Sequence, residues 1–71
     1  MKIDVLMLLR LPAYAEAVLS TWTDAELYQF ERKLLVAVRD PRLAPLVDPL
    51  SRLLRQIEEE FQVRFEIEQM L

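Results

Sequence analysis

Not one of the 71 residues is a glycine. This absence restricts the fold more than any motif the chain carries. Glycine is the residue with free access to positive φ, and both tight two-residue hairpins and phosphate-cradling loops depend on it. Asparagine, the next best residue for such turns, is missing as well. A mostly helical fold follows, with the four prolines supplying the breaks.

The apolar pattern agrees. Leu11, Tyr14, Ala15, Val18, Leu19 and Trp22 recur at i, i+3, i+4, i+7, i+8 and i+11, the stripe of one helical face. Pro12 tends to end a preceding helix and suits the first turn of this one. Thr23-Asp24-Ala25-Glu26 matches a capping box, with Trp22 and Leu27 placed as a hydrophobic staple. The helix it opens is expected over Asp24 to Arg39, with Leu27, Phe30, Leu34 and Val38 on its inner face. Asp40-Pro41 and Asp48-Pro49 repeat an acid-then-proline start signal. Between them Leu43, Leu46 and Val47 fit a short helical turn that tolerates Pro45. From Asp48 onward Leu50, Leu53, Leu54, Ile57 and Phe61 mark a further inner face, and Leu50, Leu54, Ile57 and Phe61 are the expected core.

At Phe61 the rhythm changes. Phe61-Gln62-Val63-Arg64-Phe65-Glu66-Ile67-Glu68 alternates apolar and polar residues, the period of a half-buried strand. Continued as a helix, this segment would put Arg64 and Glu68 on the stripe of Leu54, Ile57 and Phe61, and a charge in a core stripe is costly unless well paired. The expectation is therefore a mainly α domain spanning residues 1–71, with three to four helices and a short C-terminal β-strand. Such a strand would pair with the N-terminal segment, where Ile3 and Val5 alternate with Lys2 and Asp4, or with a second copy of the chain. Val5 to Leu9 is too short and unperiodic to assign by pattern alone.

Composition closes off several functions. The chain has no Cys and no His, so disulfides, thiolate metal sites and the commonest general base are all missing. Ser20 and Ser51 lack a base to activate them, and Lys2 and Lys33 are the only amines. Glu58, Glu59 and Glu60 are consecutive, so on a helix they point about 100° apart and do not converge on a metal. No enzyme, cofactor or metal is expected. A chain this short buries only about 60% of its unfolded surface, and its 54% hydrophobic content favours a homodimer. The run Val5 to Leu9, bracketed by Asp4 and Arg10, is shorter than the roughly 7–15 residues of a signal core. A soluble, cytoplasmic protein with no membrane association is expected.

Protein binding has positive support. Val63, Phe65 and Ile67 would form the greasy side of an unpaired strand, an edge that must be covered or used. Trp22 and Tyr28 are further anchors by residue type, although the staple also suits Trp22 to the core. The expected function is a small protein-binding module, an adaptor, chaperone-like subunit or inhibitor that occludes a partner's surface. The alternative is a helical DNA-associated regulator using Arg32, Lys33, Arg39 and Arg42. Its electrostatics are mixed: residues 32–55 are basic and residues 56–71 acidic, with a net charge of −3.

Residues 48–63, from Asp48-Pro49-Leu50-Ser51 to Glu58-Glu59-Glu60-Phe61, resemble the second helix of acyl and peptidyl carrier proteins. Pro49 stands where the family's phosphopantetheine-bearing serine would be, so carrier activity does not follow. Asp24, Glu26, Leu27 and Phe30, with Arg42-Leu43-Ala44, resemble a class of small nucleoid-modulating helical proteins, which implies the DNA-associated alternative.

Overall fold

The computed structural model describes residues 5–70. Four α-helices and one 3₁₀ segment follow in order: α1 (Val5–Arg10), α2 (Pro12–Leu19), α3 (Asp24–Val38), a 3₁₀ stretch (Pro41–Leu46) and α4 (Val47–Met70). No strand occurs among the described residues. The alternation of Ile3 with Lys2 and Asp4 lies outside them.

Three of the boundaries have a local cause. Pro12 has no N–H to continue the α1 ladder, so α1 stops and Pro12 opens α2. The Thr23 hydroxyl accepts from the Glu26 backbone N–H at 3.2 Å, while the Thr23 N–H donates to Glu26 Oε1 at 2.9 Å. Both halves of the capping box are therefore made. Asp40 caps the 3₁₀ segment by accepting from the Arg42 backbone N–H at 2.9 Å. The expected short turn thus takes the tighter 3₁₀ form, with Pro45 inside it.

Leu8, Ala15, Leu19, Leu27, Leu34, Leu50, Leu53 and Ile57 form the buried core, to which all four α-helices contribute. Of the expected α4 core, Leu50 and Ile57 are buried. Leu54 and Phe61 are half-buried against the cluster, and Leu53 takes a fully buried place. Trp22 meets Phe30 edge-to-face at 5.2 Å, so it packs at the core margin. No charged or polar residue among those described is buried.

The expected C-terminal strand is corrected by the structure: residues 61–70 continue α4 as a helix. Arg64 is the physical reason. The α2–α3 turn reverses the chain beside it, and the Arg64 guanidinium donates to the Trp22 carbonyl at 2.6 Å and the Leu19 carbonyl at 3.2 Å. These are carbonyls at and just past the C-terminus of α2, where backbone acceptors lack intrahelical partners. Arg64 also bonds Asp24 Oδ1 at 2.6 Å and Glu60 Oε1 at 2.8 Å. A charge on the inner stripe is costly unless well paired, and this half-buried one has four acceptors.

α4 outruns the bundle it anchors. Its 24 residues give a rod of about 36 Å, and the chain measures 44 × 22 × 19 Å. The radius of gyration, 12.7 Å, exceeds the roughly 11 Å expected of a compact chain of this length. Every residue from Phe65 to Met70 is exposed.

Candidate functional site

Exposed apolar residues lie on α4 beyond Arg64 and on the adjoining side of α3, and also at Leu6, Met7, Leu11 and Leu46. A strand would have put Val63, Phe65 and Ile67 on one face. A helix turns about 100° per residue and divides them. Val63 borders a small hollow with Glu16 and Leu19 of α2. Ile67 and Met70 follow it at i+4 and i+7 on the same flank, 53% and 85% exposed. Phe65, 57% exposed, lies on the other flank, four residues after Phe61 and beside α3.

On that second flank α3 and α4 run antiparallel, since Asp24 meets Arg64 and Tyr28 meets Phe61. The Tyr28 and Phe61 rings stack with centroids 4.4 Å apart. With Phe65 they line an open cleft of about 390 Å³, which Glu58 and Glu68 also border. Sequence reasoning identified Tyr28 and Phe65 separately. It missed their junction through Phe61, because the strand reading moved Phe65 off the phase it shares with Phe61.

Farther along α3, Leu35 and Val36 are exposed. Leu35 follows Tyr28 by seven residues, two helical turns, so both lie on the same side. Arg32 and Arg39 share that side at the same spacing and make no ion pair among the described residues. Lys33 projects from the opposite flank of α3, about 100° on from Arg32. Arg42 is held by Asp40, with Nη2–Oδ2 at 2.8 Å and Nε–Oδ1 at 3.1 Å. The Arg42 guanidinium keeps the Asp40 carboxyl below its ordinary range. The four cations named for nucleic acid therefore do not form one patch.

Glu26 and Asp40, whose carboxyls are lowered by hydrogen bonds, sit at helix starts. Glu26 titrates below its ordinary value because the Thr23 backbone N–H, and then the Thr23 hydroxyl, bond to it. Arg64 is pushed further toward the charged form, first by its bond to Asp24 and then by that to Glu60. Each shift accompanies a structural bond described above. Among the described residues no cluster of carboxylates has metal-ligand spacing, and no helix is long and apolar enough to cross a membrane.

Comparison with models of protein families, with curated proteins and with solved structures returns no match.

Proposed function

We propose that this chain is a protein-binding module, an adaptor or inhibitor that acts by occluding a partner's surface. The supporting observation is the outer end of α4, where Val63, Ile67 and Met70 are exposed along one flank of the helix. Contiguous apolar side chains on a projecting element mark interaction sites in soluble proteins. An amphipathic helix with anchors at i, i+4 and i+7, here Val63, Ile67 and Met70, fits a partner's hydrophobic groove. The acidic residues Glu59 and Glu66 flank that strip, so the groove it suits has a basic rim.

The test is capture from host extract on the immobilised wild-type chain and on its Ile67→Glu variant. A protein retained by the wild type and released by the variant supports the reading. Identical retention on both, with the helical content of the two chains equal, overturns it.

A further inference from the structure

We infer that the seam between α1 and the start of α4 binds a small amphiphilic anion, a single alkyl chain ending in a carboxylate. The site is separate from the Val63–Ile67–Met70 strip and goes beyond the protein-binding reading. Leu8 fixes α1 to the core. Leu6, Leu9 and Arg10 share another side of that helix, at i, i+3 and i+4. Leu46, Pro49 and Arg52 recur every three residues from the end of the 3₁₀ segment into α4. Together these six line a cleft of about 290 Å³, close to the roughly 300 Å³ at which small-molecule sites begin.

The lining combines four apolar residues with two guanidiniums. Leu6 and Leu46 are exposed, so an alkyl chain laid between them removes apolar surface from water. Neither Arg10 nor Arg52 makes an ion pair among the described residues, and Asp48, one turn before Arg52, does not bond it. The two clefts described above are acidic: Asp24, Glu58 and Glu68 border one, and Glu16, Glu59 and Glu60 the other. No carboxylate lines the α1–α4 cleft, although acidic residues outnumber basic ones by 12 to 9 in the chain. Charge and lining therefore select one ligand class. A hydrophilic anion forfeits the leucines, a neutral chain forfeits the arginines, and a cationic chain is repelled. A guanidinium also matches a carboxylate geometrically, donating two parallel N–H bonds. A cleft of this size holds one alkyl chain of medium length.

The experiment titrates the full chain with decanoate below its micelle concentration, read by calorimetry and methyl NMR. One decanoate per chain is expected, with shifts at the Leu6, Leu9 and Leu46 methyls. Octanoate should bind more weakly, by up to about fourfold for each methylene removed. Arg10→Gln/Arg52→Gln should weaken decanoate by roughly tenfold and leave decanol unaffected, while Leu6→Glu abolishes binding. Arg10 also suits the C-terminal end of α1 electrostatically, so circular dichroism accompanies each variant. Should the double variant lose helix, decanoate against decanol on the wild type measures the same charge contribution, and equal affinity overturns the inference. Absence of decanoate binding, equal affinity of wild type and double variant, or shifts gathered at Val63, Ile67 and Met70 also overturns it. Phosphatidylglycerol vesicles form a separate arm. A chain that sediments with them but ignores monomeric decanoate has a membrane-surface site instead, and the inference fails. None of these results bears on capture through Ile67, whose loss defeats the occlusion reading alone.

Discussion

Replacing Arg64 by Met keeps an unbranched side chain of similar helix propensity while removing the guanidinium tip and its charge. Four acceptors lose a bond, although the Leu19 carbonyl still accepts from the Trp22 N–H at 3.2 Å. The bond to the Trp22 carbonyl is short, 2.6 Å, and partly buried, and a bond from a charged donor contributes about 1.5–3 kcal/mol. The Leu19 bond, at 3.2 Å, adds less. Asp24 is 62% exposed at the side chain, so solvent screening limits that pair to about 0–1 kcal/mol. The Glu60 pair has i,i+4 spacing and contributes about 0.3–0.5 kcal/mol on a helix. Together these give a loss of roughly 2–4 kcal/mol. A chain of this size has only about 4–10 kcal/mol in total. In chains of 60–100 residues each kcal/mol moves the melting temperature by roughly 4–8 °C, so a fall on the order of 10–25 °C is expected. Thermal and urea melts followed by circular dichroism measure it. Arg64→Lys, which keeps one charged donor but not the fork, should lose about half as much. A melt of Arg64→Met within about 0.5 kcal/mol of wild type, the range of an ordinary surface substitution, would refute the role given to this residue.

Three further outcomes follow from the same geometry. Thr23→Ala removes the N-cap of α3 and should cost about 1 kcal/mol, with faster amide exchange confined to the first turn of α3. The depressed Glu26 and Asp40 carboxyls stabilise the fold above their unfolded titration range, about pH 4. That contribution disappears as pH falls from there through the lower folded values, so urea midpoints should drop on acidification, and less steeply in Thr23→Ala. Ile57→Ala, at a position with 0% exposure, should cost about 2–5 kcal/mol and leave little folded chain at 37 °C. Leu54→Ala, at a half-buried site, should cost visibly less in the same melts.

How far these features were legible beforehand depends on the range of the interactions behind them. Helix α3 was, because a Thr-x-x-Glu box and a 3.6-residue apolar stripe act within one or two turns of chain. The breaks at Pro12 and Pro41 were too, since a proline has no N–H to extend the ladder before it; Pro49 differs, because α4 starts at Val47 and carries it in the first turn. Tyr28 and Phe65 could be named as candidate contacts by residue type. Their meeting across Phe61 was hidden, because it depends on the phase of a helix that the pattern itself did not select.

Residues 61–68 show the division most clearly. Their alternation satisfies a strand of period two, and their inner stripe satisfies a helix only if Arg64 has somewhere to place its charge. By itself the sequence determined the helical class, the caps at Thr23 and Asp40, the breaks at Pro12 and Pro41 and the apolar stripes, all consequences of neighbours within a few residues. Whether α4 ran on to Met70 was decided by the tertiary structure alone. The acceptors that make Arg64 tolerable on that stripe include Leu19, Trp22 and Asp24, 40 to 45 residues earlier in the chain. They reach it only after α2 and α3 have folded back against the long helix, and no local pattern records that approach.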